Sequence, residues 1–224
     1  RTGVRVVGNA FSKGSLQQKV IKQVPKAFSD LGPTYVKLGQ IIASSPGAFG
    51  EPLSREFRSL LDRVPPADKD QVHKLLREEL GGDPADLFAT FDDEPFASAS
   101  IAQVHYATLH SGEEVVVKIQ RPGIRRRVAA DLQILKRGAQ IAELAKLGQR
   151  LSAQDVVADF ADNLAEELDF RLEAQSMDAW VAHMHASPLG RNIRVPQVYW
   201  DLTSERVLTM ERIQGVRIDD VAAI

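Results

Sequence analysis

Between Glu94 and Gln120 the chain reads EPFASASIAQVHYATLHSGEEVVVKIQ, and this segment sets the fold. It gives a strand, a tight loop of small residues, a second strand, a turn at His110-Ser111-Gly112 and a third strand that ends near Lys118. Small residues let a backbone approach a ligand closely, and a lysine on a following strand brings positive charge to the same place. That is one way to hold the phosphates of a nucleotide.

Before this segment the pattern is helical. Leu16, Val20, Val24, Ala27, Phe28 and Leu31 recur at helical spacing over 15–31, with Pro25 expected to kink or break the helix. Gly32-Pro33 ends it, and Thr34 is expected to cap a second helix from Tyr35 to Ala43. A third runs from Pro52 to Val64 with Leu53, Phe57, Leu60 and Leu61 inward. A fourth is capped by Asp68 or Asp70 and closed by Gly81-Gly82. After Gln120, Arg121-Pro122-Gly123 stops the sheet run and a helix is expected over 124–147. Its start, Arg125-Arg126-Arg127, opposes the helix dipole; solvation is the favoured reason, an anionic partner the other. Ser152 and Asp155 resemble a capping box before a helix reaching about Ala186, broken at most once. Val195–Leu202 and Arg206–Ile213 read as two more strands. The total is an α+β chain with about five strands.

Hydrophobic residues are 44% and charged residues 26%, enough for a core and too ordered a mix for a disordered tail. The net charge of −2 argues against binding nucleic acid through bulk charge. With no cysteine, thiolate metal sites, disulfides and cysteine nucleophiles are excluded. No apolar run spans a membrane. The five histidines lack metal-ligand spacing, and no hydrolase, zincin or dinucleotide motif is present. Both ends read as cut, so a longer protein is expected.

Five groups of residues could carry chemistry. Lys118 follows three valines, and a lysine beside such a strand is either an edge residue in water or is met by something anionic. Ala97-Ser98-Ala99-Ser100 stands where a phosphate loop carries glycines, and alanine should make the loop stiffer. Glu166, Asp169 and Glu173 fall three and four apart, hence on one helix face, with Glu167 beside it. In Val207–Ile213, the backbone of Glu211 and Ile213 could meet an adenine edge with Met210 beside it. Lys37 and Gln40 share a helix face, and Gly39 lets that helix approach a neighbour.

Taken in order, these residues resemble the UbiB family of atypical protein-kinase-like proteins, associated with quinone biosynthesis. Lys37-Leu38-Gly39-Gln40 reads as the family's KxGQ signature, Ala97–Ser100 with Ile101–Val104 as its alanine-rich loop, Lys118 as its strand lysine and Glu167-Leu168-Asp169 as its ExD signature. Ser98 departs from the usual alanine and adds a hydroxyl. The resemblance implies a helical extension carrying KxGQ over 1–86, a kinase-like small lobe over 87–215 with a helical insertion at 124–150, and the start of a larger lobe at 216–224. It implies that Lys118 contacts nucleotide phosphates, with Glu173 its helix partner. Lys37 and Gln40 would lie over the active-site mouth, and Glu167 and Asp169 would contact the extension or assist metal and nucleotide.

The implied cofactors are ATP and Mg²⁺, and the implied function is an atypical kinase or ATPase that supports quinone biosynthesis. The catalytic Asp-to-Asn loop and the Asp-Phe-Gly segment do not occur before Ile224, so this segment alone is expected to be inactive and to need the larger lobe of the same chain. Two other readings stand beside it: a nucleotide-gated lipid- or partner-binding module, and a helical scaffold without a ligand. A cytoplasmic protein is expected. The 15–31 helix, with Lys19, Lys22 and Lys26, either packs on its own domain, which is favoured, or lies on an anionic membrane surface.

Overall fold

The computed structural model describes residues 13–58, 65–144, 152–185, 190 and 192–216. The chain forms two compact units, Arg1–Asp62 and Arg63–Ile224.

The first unit is helical: α1 (Lys13–Leu31), α2 (Pro33–Ser44), α3 (Pro46–Phe49) and α4 (Glu51–Phe57). Helix α1 runs through Pro25 without a break. Its last turns pack on their own unit, where Phe28 meets Tyr35 and Phe57 edge to face. Thr34 does not cap α2. Pro33 takes the first helical position, where its missing N–H is no loss, so the cap falls to Gly32 at φ 108, a conformation that glycine tolerates. Thr34 is buried inside the helix instead. Helix α4 covers the first half of the expected third helix; Leu60 and Leu61 lie outside the described residues.

The second unit is built on an antiparallel sheet of five strands: β1 (Thr90–Phe91), β2 (Ala97–Ser98), β3 (Ala102–Thr108), β4 (Glu114–Gln120) and β5 (Val207–Glu211), in the order β1-β3-β4-β5 with β2 also on β3. The expected fifth strand, Val195–Leu202, is absent as a strand. Pro196 removes a ladder donor there; Val198 makes one bridge to Met210, and Trp200–Leu202 turns into a 3₁₀ helix. The count of five is made up by β1 and β2.

Period two sorts β4 into two faces. Val115, Val117 and Ile119 join a core with Val72, Leu75 and Leu76 of α5 (Lys69–Leu80), together with Phe88, Ala107 and Val207. Helix α5 forms because Asp68 accepts from the N–H groups of Asp70 and Gln71, its apolar residues recur at three and four, and Gly81 closes it in the left-handed conformation. A short helix, α6 (Pro84–Leu87), connects it to β1.

The other face of β4 carries Val116, Lys118 and Gln120, in register with Tyr106, Val104 and Ala102 of β3 and, for the first two, with Met210 and Leu208 of β5. After the sheet come α7 (Ile124–Leu144), α8 (Ala153–Glu167) and α9 (Phe170–His185). Ser152 Oγ accepts from the Asp155 N–H at 3.1 Å at the start of α8.

On the α5 side, His105 is buried in a polar chain. Its Nδ1–H donates to the Asp92 carbonyl at 2.7 Å, and its Nε2 accepts from the Gln103 amide at 2.8 Å. Burial, which outweighs the bond to Asp92, pushes its pKa below the ordinary value of 6.5. A depressed histidine binds its proton more readily unfolded. Its contribution is therefore complete above pH 6.5 and is lost as pH falls toward the lower folded value. Urea midpoints should fall as pH is lowered through the window below about 6.5, with a slope of at most about 1.4 kcal/mol per pH unit from this one group. A midpoint that stays level over that window would contradict a neutral buried His105.

Candidate active site

Lys118 is held half-buried at 25% exposure, and its Nζ donates to Glu173 Oε2 at 2.6 Å. The same ammonium lies 4.7 Å from the centre of the Phe170 ring, which is 1% exposed beneath it. Val104, directly opposite Lys118, and the Val116–Met210 pair two residues along present a shallow apolar surface on the same face of the sheet.

What aims Glu173 is the break between α8 and α9. The spacing of Glu166, Asp169 and Glu173 predicts one helix face, and the structure corrects this. The helix ends at Glu167, Leu168 and Asp169 form a corner, and a new helix begins at Phe170. The corner is tied from three sides. Gln120, fully buried, donates to the Leu168 carbonyl at 2.6 Å and to the Glu205 carbonyl at 3.1 Å. The Phe170 N–H donates to the Glu205 carbonyl at 3.0 Å. Arg125 donates to the Leu168 carbonyl, to Gln120 Oε1 and, at 2.7 Å, to the Glu205 carboxylate.

Arg125 thus has its reason to open α7: it turns inward to hold this corner. Asp169 accepts from the Arg171 N–H at 3.1 Å, as a helix cap does, and pairs with the Arg171 guanidinium at 2.7 Å. That hydrogen bond, against burial, lowers the Asp169 pKa below the usual carboxylate value. Glu167 closes α8.

The small-residue loop has a definite shape. Ala97 and Ser98 pair with Val104 and Gln103 as β2, so only Ala99 to Ile101 turn. The Ala99 N–H donates to the Ala102 carbonyl at 2.8 Å. Arg121 clamps the loop: Nε donates to the Ala99 carbonyl at 2.8 Å, and a terminal nitrogen donates to Ser98 Oγ at 2.6 Å and to the Pro65 carbonyl at 2.7 Å. Ser100 is buried. A loop that cradles phosphate turns its amides outward; here the Ala99 amide is engaged internally.

At the far end of β5, Met210 is half-buried, and the Glu211 N–H donates to the Gln197 carbonyl at 2.8 Å. Of the Glu211 peptide groups, only the carbonyl can face an adenine. Ile213 is exposed. Arg212 lies over the Tyr106 ring at 4.1 Å, and Phe96 stacks on the same ring with centroids 4.1 Å apart. Lys37, Gly39 and Gln40 lie on α2 in the first unit, with Gly39 buried and the other two half-buried.

The sequence reading passed over Arg121 and Gln120, and the solvation it favoured for Arg125–Arg127 does not hold for Arg125, which turns inward. Arg121 stood out only as the end of a strand run, yet it holds the loop. Gln120, a polar residue closing an apolar strand, was the available signal for a buried hydrogen-bond anchor.

Adenine nucleotide fits what is present. An apolar sheet face lies beside a half-buried, carboxylate-braced lysine, with a backbone carbonyl at the strand end. Among the described residues no three acidic or imidazole side chains gather as a cation cage.

Residues 59–224 match the model of the ABC1 atypical kinase-like domain. The chain is 80% identical over its whole length to the uncharacterized protein Rv0647c of Mycobacterium tuberculosis, of which it covers 46%. It is 43% identical over 88% of its length to a probable protein kinase UbiB of Azotobacter vinelandii, covering 36% of that protein. Among solved structures it resembles Rv3197 of Mycobacterium tuberculosis, described as a complex with erythromycin. The TM-score is 0.59 at 32% identity, covering 92% of this chain and 51% of that one. The chain spans less than half the length of these curated relatives. With its kinase-like sheet, its lysine–glutamate pair and this match over most of its length, the chain belongs to the ABC1 atypical kinase-like family, alongside the UbiB proteins.

Proposed function

We propose that this chain is the nucleotide-binding part of an atypical kinase or ATPase of UbiB type that supports the making of a quinone or related isoprenoid lipid. The Lys118–Glu173 pair carries the reading. A lysine fixed by a helix carboxylate beside an apolar sheet face is placed to neutralise nucleotide phosphates, and phosphoryl transfer depends mainly on such positioning and charge. Val104, Val116 and Met210 would receive the base, and the Glu211 carbonyl would meet its amino edge. Mg²⁺ would supply charge neutralisation between phosphates. Its ligands, and the base that orients the acceptor, would come from the larger lobe of the same protein.

The test uses the full-length protein. Lys118→Ala should lower Mg-ATP turnover by about 10²-fold or more, as loss of a positioned transition-state cation does. Turnover and nucleotide affinity both unchanged would remove Lys118 from the site.

A second reading has its own observation. Because Arg121 clamps the loop and the Ala99 amide is engaged, phosphate could use that amide only after the loop rearranged, which suits a nucleotide-gated module that binds lipid or a protein partner. Measurable ATP binding without turnover in the full-length protein would favour that module over the enzyme.

A further inference from the structure

A cleft of about 390 Å³ lies between α5 and the start of α7, behind the turn that follows β4. Lys118, Glu173 and the Ala97–Ser100 loop do not line it. Its wall carries five cationic side chains, Lys74, Arg121, Arg125, Arg126 and Arg206, and one carboxylate, Glu78. Three of these cations are internally committed, Arg121 through its hydrogen bonds to Ser98, Ala99 and Pro65. Arg206 is paired with Glu79 at 2.7 Å and Glu78 at 3.2 Å, and Arg125 with Glu205 at 2.7 Å.

Lys74 and Arg126 are different. Lys74 is 70% exposed, with Glu78 only at 4.0 Å. Arg126 is exposed on the first turn of α7, and among the described residues no carboxylate pairs with it. No acidic residue stands in that turn, so the positive end of a 21-residue helix faces a wall of cations. Glu205, Glu78 and Glu79 neutralise Arg125 and Arg206, and Lys74 and Arg126 leave positive charge on the cleft wall.

We propose that this cleft binds a phosphate group, either free phosphate or the phosphate monoester of a small molecule or lipid headgroup. The two exposed cations, Lys74 of α5 and Arg126 of α7, would hold it. Arginine suits tetrahedral oxyanions through its paired N–H groups, and lysine adds a point charge. Arg121 lines the cleft and also holds Ser98 and Ala99, so occupancy there would steady the small-residue loop.

The experiment is calorimetric, on the full-length protein, and is independent of ATP turnover. Glycerol 3-phosphate or inorganic phosphate at about 20 mM, against chloride at matched ionic strength, should raise Tm by about 2–4 °C. The variant Lys74→Gln/Arg126→Gln should keep its Tm in chloride, since both side chains are exposed. It should lose the rise, with phosphate affinity falling at least about tenfold. Lys118→Ala should keep the rise.

Binding of soluble glycerol 3-phosphate that depends on Lys74 and Arg126 identifies a soluble ester. The same dependence seen only with phosphatidic acid vesicles identifies a lipid headgroup, and either result supports the site. No rise with any of these probes, a rise that survives in the double variant, or a rise that vanishes in Lys118→Ala would overturn it. The last would assign the phosphate to the nucleotide site.

Discussion

Glu173→Gln in the full-length protein is expected to lower Mg-ATP turnover by about 10²-fold, the cost of misplacing a reacting group by about 1 Å. It should move stability by less than about 1 kcal/mol. The two effects are expected to separate because, on the proposed function, the pair is a positioning device and not a structural one. Glu173 is 43% exposed, and a salt bridge so placed contributes little to folding. Its proposed catalytic weight comes from direction. Without the carboxylate, the Lys118 ammonium keeps only the Phe170 ring at 4.7 Å and is free to turn to solvent. Turnover should fall more than nucleotide affinity, because the lysine still offers charge but not at a fixed point. A variant that loses stability and activity together would mean that the pair is part of the packing.

Phe170→Ala is expected to destabilise the protein by about 3–5 kcal/mol in chemical denaturation, the usual cost of emptying a buried aromatic site. Phe170 is 1% exposed, at the first position of α9, directly under Lys118. Its N–H is one of the ties of the corner that aims Glu173. Removing the ring opens a cavity where sheet and helix meet. Phe170→Leu, which keeps most of the volume, should cost about 1–2 kcal/mol. A loss for Phe170→Ala below about 2 kcal/mol would show that the corner is held by its hydrogen bonds alone.

The sheet and the helices before it were legible because period two and period 3.6 are local signals. Val115-Val116-Val117-Lys118 announces a buried strand, and Asp68 and Gly81 mark the ends of α5. The corner at Leu168-Asp169 was not legible. Leu164 and Leu168 continue the apolar spacing of an unbroken helix, and what breaks it is Gln120 and Arg125, over forty residues away. The clamp of Arg121 on Ser98 and Ala99 is equally non-local. Val195–Leu202 failed for a local reason given too little weight, the proline at 196. The family resemblance supplied the role of Glu173; helical spacing placed it on the same face as Asp169, a face the structure does not form.

The broken edge of the sheet bears on solubility. An exposed strand offers a row of unpaired N–H and C=O groups on which another chain can assemble. Here β3 is flanked by two stubs of two residues each, with Pro95 in the gap between them. Neither stub is long enough to template an incoming strand, and the proline lacks the donor that would continue the ladder. On the opposite side, β5 already gives partners to the Val198 segment, through the Tyr199 N–H to the Thr209 carbonyl and the Glu211 N–H to the Gln197 carbonyl. A sheet with both margins occupied or interrupted resists edge-to-edge aggregation while keeping the face that bears Lys118 open.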